Sequence, residues 1–593
     1  MASPGANRGH PDSALGAPSD SETGLHSAAE RVLGTPELLR AIHEVFQIEW
    51  VSDEERERDV LVRNAKRVDL ASCARVSRRF SEHALDVLWR TLDTTLPLLK
   101  VLPPFYLIEG YTWAVARDIT TAEWARFQTY ALRVRGLRFE LPRVDPLIWT
   151  LLARHYHSRP ILPNLRVIST MELTTEHVSA MVQFLSPGLC AASISFEAPL
   201  AHTSYSTPLP VVGNASGLLF KALSDIAPRL TTLHWSAPAS LAMRHSGYML
   251  DINRFERLTS FTGGDFVVGL SLVLGLSTIK SLSHLSLSIH FSDAEYATLP
   301  DGLDPLAAFQ KLRTLNLGGR ARDIVRMMSC MRPASLEELA LNLGTVPVTT
   351  ATPGALLSEL CQHLPQSLVS LTLSSISVTS PTADSGFELH DYINPLLSFR
   401  NLLHFGLTHE DPMLQMTDLG LSLLAEAWPK LQSIRIDLPH TAAARTARPT
   451  VCALVAFAQR CPELYSLSLC GLDARALPPD ASVPVLNHPL EHICLKLLAF
   501  DAGNDEQAVR FAITLDQMFP RLVDVYVSDN VQNTYQRHPG PTSSRLVQQF
   551  LKAIRSGRKH DRMLSERSTS LLGLGPGPTV KDGSEPGGSS YAS

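Results

Sequence analysis

One apolar string recurs along this chain of 593 residues: an apolar residue, two others, an apolar residue, one other, and a third apolar residue. Clear copies begin at Leu230, Leu282, Leu312, Leu336, Leu368, Leu402, Leu431, Leu464, Leu490 and Leu522, with weaker ones at Val134, Leu165, Leu189 and Leu258. The alternating end of each copy, as in Leu315-Asn316-Leu317 or Leu371-Thr372-Leu373, predicts a short strand with one buried face. Between strands lie helical stretches such as 417–428, where Leu419, Leu423 and Leu424 are expected on one side. Pro429, Pro462 and Pro520 then end the helix and launch the next strand. A unit this small cannot bury its own apolar face, so the copies must stack. The expectation is an α/β solenoid with a parallel inner sheet. A doubly wound α/β domain also alternates strand and helix, but the string recurs too often for one, and no glycine-rich phosphate turn follows any strand.

The string resembles a degenerate leucine-rich repeat, since the copies average about 30 residues against the 20–29 expected of that class. The asparagine that normally follows the strand is present only in the last copy, as Asn530; elsewhere the position holds Arg320, Gly344, Ile376, Glu410 or Leu472. The resemblance therefore implies an irregular horseshoe with variable turns. Leu546, Phe550, Leu551 and Ile554 predict an amphipathic helix that caps the end of the stack. The solenoid is assigned to 104–555, with disordered tails at 1–27 and 556–593, where Gly, Ser, Pro and Ala accumulate.

Composition narrows the function. Charged residues are 19%, apolar residues 45%, and the net charge is −5, without the basic stripe of a nucleic-acid binder. The apolar run 266–276 is well short of the roughly 20 residues that span a bilayer. No basic-then-apolar segment follows Met1, so a soluble protein of the cytoplasm or nucleus is expected, with neither nucleic acid nor membrane as partner. Arg555, Arg558, Lys559 and Arg562 form a short basic cluster of the kind found in nuclear signals. The eight cysteines form no C-x-x-C pair and suit small buried hydrophobes. His43-Glu44 is followed by Gln47, so the metalloprotease pattern fails. His155 and His157 lack further partners at ligand spacing. Gly573, Gly575 and Gly577 alternate with Leu or Pro and read as linker. The expectation is a protein without catalytic residues, metal or cofactor.

Before the repeats, Thr35-Pro36-Glu37-Leu38-Leu39-Arg40-Ala41-Ile42 predicts a short helix. Thr35 suits its cap, Pro36 its first position, and Glu37 the positive end of the dipole. Leu70, Cys73, Val76, Phe80, Leu85, Leu88, Trp89 and Leu92 continue an apolar face. Helices this short must bury those faces on each other or on a partner. A plain helical hairpin capping a larger domain has the same spacing.

The ordered string, Pro-Glu-Leu-Leu, then Val76-Ser77-Arg78-Arg79-Phe80, then Leu88-Trp89, resembles an F-box over residues 28–103. The runs 88–103 and 124–135 resemble the expanded F-box families of mushroom-forming fungi. Thr35 stands where a leucine often precedes the proline, and a charged insertion at 49–67 swells the first turn. The resemblance implies a substrate-recruiting subunit of a Skp–cullin–F-box ubiquitin ligase. Pro36, Leu38, Leu39 and Ile42 would meet the Skp adaptor, and Val76, Phe80, Leu88 and Trp89 would hold the helices together. Ubiquitin transfer would belong to other subunits. The alternative is an interaction scaffold that keeps the F-box fold without ligase association.

Residues between the buried leucines should face outward from the inner sheet. One column runs Thr232, Ser260, His284, Thr314, Glu338, Ser370, His404, Ser433, Ser466, His492, Asp524. Its neighbour runs His234, Thr262, Ser286, Asn316, Ala340, Thr372, Gly406, Arg435, Ser468, Cys494, Tyr526. Most are small and polar. Arg435, Asp437, Lys496, Asp524 and Tyr526 stand out as candidate contacts for a protein substrate, because Tyr and Arg most often anchor interfaces.

Overall fold

The computed structural model describes residues 35–47 and 59–571, apart from 109, 111, 141–143, 157–158, 197–208, 238–250, 299–308, 332, 348–353, 380–386, 410–413, 439–447, 480–482, 502–504 and 528–542. The tails expected at 1–27 and beyond 571, His157 and Asn530 lie outside the described residues. The chain divides into two compact units, one of residues 1–168 and 183–188, the other of 169–182 and 189–593.

The first unit opens with α1 (Pro36–Glu44), α2 (Val60–Cys73) and α3 (Arg78–Leu88). Thr35 sits at the N-cap of α1 in extended backbone, but its side chain does not make the capping bond. Ser77 does cap α3, accepting from the Phe80 amide at 3.3 Å. α3 packs against both α1 and α2, burying Leu39, Leu70, Ala84 and Val87. The charged insertion is shorter than its sequence suggested, because 60–67 form the first turns of α2. Arg63 and Arg67 there both bind the Asp93 carboxylate, Arg63 at 2.8 Å. Burial alone would raise the Asp93 pKa, but the two guanidiniums hold it below the usual aspartate value.

Directly after α3, without a linker, comes the first strand, β1 (Thr91–Leu92), paired parallel with β2 (Gly136–Arg138). Between them α4 (Thr121–Ala131) begins with a Thr120–Glu123 capping box. Strand pairing thus starts inside the segment assigned to the F-box, and the first compact unit extends to 168 instead of ending at 103.

Strand β3 (Val167–Leu173) contains the division between the units. The second unit continues with β4 (Ala191–Phe196), β5 (Thr232–Ser236), β6 (Ser260–Val268), β7 (His284–Ile289), β8 (Thr314–Gly319), β9 (Glu338–Asn342), β10 (Ser370–Thr379), β11 (His404–His409), β12 (Ser433–Asp437), β13 (Ser466–Leu469), β14 (His492–Leu495) and β15 (Asp524–Val527). Every copy of the apolar string, clear or weak, leads into one of the strands β2 to β15. From β4 onward neighbours pair parallel in chain order.

The string makes this fold locally. The amide of its first leucine closes a turn on the carbonyl three residues back, as Leu230 does on Ala227, Leu312 on Phe309 and Leu464 on Cys461. Its second and third apolar residues are then buried: Leu315, Leu317, Leu371, Leu373, Ile434 and Ile436 are at most 1% exposed. At the exit of β8, Gly319 holds φ at +145°, and a Cβ there would run into the Ile289 carbonyl. Leu419 is a correction: it is exposed, while Leu421 and Leu424 carry the buried face of the helix Asp418–Ala427.

With the asparagine missing, the main chain joins the turns. One carbonyl at the foot of each strand accepts two amides from the next turn. The Thr231 carbonyl takes those of Thr259 and Ser260 at 2.8 and 3.0 Å, and the Glu491 carbonyl those of Val523 and Asp524 at 2.7 and 3.0 Å. The same fork occurs at Thr259, Ser283, Arg313, Glu337, Val369, Leu403, Gln432 and Tyr465. Hydroxyls add to it: Ser281 donates to the Leu258 carbonyl, Ser335 to Gln310, and Ser367 to Leu336.

The helix Ser543–Leu571 packs on the helix Asp505–Met518, burying Val547 and Leu551. It runs past 556, where disorder was expected. Arg555 donates to the Val523 carbonyl at 3.0 Å and Arg558 pairs with Asp516, so both sides of Gly557 are held. The stretch 209–217 is the start of the helix Leu209–Ile226.

Candidate functional site

Two surfaces carry the candidate residues. On the first unit, α1 turns Leu39 and His43 inward, where the His43 ring meets Phe80 edge-on at 5.5 Å. Leu38 and Ile42 point outward, 45% and 40% exposed, and Pro36 is exposed with them. Leu39, at 1% exposure, is therefore corrected from a contact residue to a core residue. Val76 is corrected the other way. It lies in the turn between α2 and α3, 67% exposed, and holds nothing together. Phe80 and Leu88 are half-buried, and Trp89 packs on Tyr130 of α4 with ring centroids 4.6 Å apart.

Exposed apolar side chains also occur on the two helices that follow. Of the large apolar residues exposed among the described residues, Leu38, Ile42, Val45, Val60, Leu61, Val62, Val68 and Val76 all fall within the first three helices and their turns. Scattered single exposures are normal, but a concentration of this kind makes these helices a candidate interaction surface. Helical spacing alone showed which residues share a face; it did not show which face is covered.

The second surface lies on the inner sheet of the second unit. Register places both columns in the order read from the sequence. In particular, Arg435 stands beside Ser468, Ser468 beside Cys494, and Cys494 beside Tyr526. Three of the five residues singled out converge. Arg435 donates through Nε and Nη2 to one oxygen of Asp437 at 3.2 and 3.0 Å, and Lys496 pairs with the other. The Asp437 side chain is 9% exposed, that of Lys496 34% and that of Arg435 65%. Burial would raise the Asp437 pKa; the bonds from Lys496 and Arg435 outweigh it and hold the carboxyl below its ordinary value. Asp524 stands apart, exposed and 3.1 Å from Nδ1 of His492, a partner the sequence reading left among the small polar positions. Tyr526 is 61% exposed.

Among the described residues no group of three or more His, Cys, Asp or Glu is placed to hold a metal ion, and no helix is long and apolar enough to cross a membrane. Cys361 and Cys461 are pushed up to about 12 by burial, well away from a reactive thiolate.

No protein-family model matches the chain, and no curated protein matches it. Among solved structures, an internalin from Listeria monocytogenes is 11% identical, covering 71% of this chain and 87% of its own, with a TM-score of 0.29. A plant peptide hormone receptor in complex with RGF2 is 10% identical, covering 75% and 80%, with a TM-score of 0.21. At those scores neither likeness carries an argument about this chain. The repeated string, the parallel strands in chain order and the shared register make the second unit an irregular leucine-rich-repeat solenoid.

Proposed function

We propose that this protein recruits a protein substrate to a Skp–cullin–F-box ubiquitin ligase. The helices α1–α3 dock on a Skp-type adaptor, which links them to a cullin, and the inner sheet of the solenoid holds the substrate. The protein itself is non-catalytic; ubiquitin transfer falls to other subunits. The observation that carries this reading is the concentration of exposed apolar side chains on the helices whose sequence resembles an F-box. Leu38 and Ile42 lie four residues apart on the outward side of α1, and Val45 is exposed at its C-cap, which suits a groove in a partner.

The test is co-purification with a Skp-type adaptor. Leu38→Asp with Ile42→Asp should abolish recovery of the adaptor and leave the thermal melt unchanged, because both side chains are solvent-facing. Equal recovery with the double variant and the wild type overturns the ligase reading and favours the scaffold.

A further inference from the structure

Asp437 needs one cation to balance it and has two. Both are fixed by it: Arg435 is two residues away on the same strand, and Lys496 reaches it from the end of β14. The carboxylate is nearly buried, whereas the guanidinium is largely in solvent. One positive charge is therefore left over, on side chains already held in place. Holding them beforehand lowers the entropy cost of engaging a ligand. Beside Arg435 the row continues through Ser468 and Cys494, both small, to the exposed ring of Tyr526. Three strand spacings of about 4.8 Å put Arg435 and Tyr526 about 14 Å apart. The row thus has a cationic end, a low floor and an aromatic end.

We propose that this row is the receptor for an acidic peptide segment of the captured protein. A carboxylate of the segment sits on the free N–H groups of Arg435 with Lys496 beside it, and an apolar side chain rests against Tyr526. The inference deepens the proposed function and rests on the reading that the inner sheet binds protein. Charge complementarity selects the occupant: the excess charge at the Arg435 end is positive, and a guanidinium matches a carboxylate in geometry as well as charge. Asp524 lies on the strand of Tyr526, three strands from Arg435, at the end of the row where the apolar side chain and not the carboxylate of the segment rests.

The experiment uses the full-length protein and three sets of fluorescein-labelled twelve-residue peptides, acidic, neutral and basic, with the same apolar content. Fluorescence polarisation should show binding of the acidic set only, weakening as salt is raised. Arg435→Gln should weaken it about tenfold, the loss of one charge-assisted hydrogen bond, and Arg435→Glu should weaken it further. Tyr526→Ala should weaken it without changing its salt dependence. Tyr526 is exposed, so Tyr526→Ala should melt as the wild type does. The Arg435 variants leave Asp437 with Lys496 alone and should melt somewhat earlier, so their binding is measured well below their melting temperatures. Equal binding of all three sets, no binding of any, or an unchanged affinity in Arg435→Glu overturns the proposal. Adaptor recovery measured in parallel separates the two readings. Acidic-peptide binding without adaptor recovery defeats only the ligase assignment, and adaptor recovery without acidic preference defeats only this one.

Discussion

Leu371 and Thr372 are neighbours in β10 with opposite surroundings. Leu371 is 1% exposed, and Thr372 faces solvent between Ala340 and Gly406. Leu371→Ala should cost about 2–5 kcal/mol by opening a cavity, while Thr372→Ala should stay within about 0.5 kcal/mol. Paired denaturant melts check both, and equal shifts would place the strand in the wrong register. Asp437 allows a pH test at the same scale. Its folded pKa lies below the ordinary value, so its contribution to stability is fully present above about pH 4, the unfolded value. That contribution is lost as pH falls through the lower folded value. Asp437→Asn should therefore be less stable than the wild type at neutral pH, and the gap should narrow only below about pH 4. Melts of both proteins across that range decide it; a gap that closes above pH 5 would assign the effect to another group.

Single elements show how far sequence reaches. The strands were legible because Leu-x-x-Leu-x-Leu encodes both the period and the buried side, and all fourteen copies fall where expected. The helices of the first unit were legible in position but only partly in orientation. Leu38 and Leu39 are adjacent and so point about 100° apart on a helix; both are leucine, and only packing against α3 decides that Leu39 goes in. Val76 followed the apolar spacing of α2, but the chain turns at residues 74–76 and leaves it outside. The pairing of Asp437 with Lys496 was beyond sequence reading, since these residues are far apart in the chain and register alone brings them together. Leu39→Ala should cost about 2–5 kcal/mol, and Ser77→Ala about 1 kcal/mol through loss of the α3 cap. If circular-dichroism melts show Leu38→Ala to be the costlier of the two leucine changes, the assigned faces are reversed.

The second unit, taken whole, is an array with an end to protect. Deleting residues from 543 onward removes the helix that packs on Asp505–Met518. Terminal repeats need such a polar-faced cap for solubility, so the truncated protein should melt earlier and scatter light at concentrations where the full chain stays clear. An unchanged melting temperature and clear solutions would show that the array closes itself at the helix Asp505–Met518.

The forked carbonyls at the foot of each strand have a consequence for descent. Hydrogen bonds made by peptide groups survive almost any substitution, because every residue but proline supplies the same amide. Where an asparagine side chain knits the turns, one mutation breaks a stitch; at Thr231, Gln432 or Tyr465 the stitch is independent of the side chain. Such a chain is free to exchange its surface letters generation after generation while three apolar positions per turn keep the stack. Lineages of this architecture should diverge fastest in spelling and slowest in shape, and the residues that resist drift against that background should be those that touch a partner.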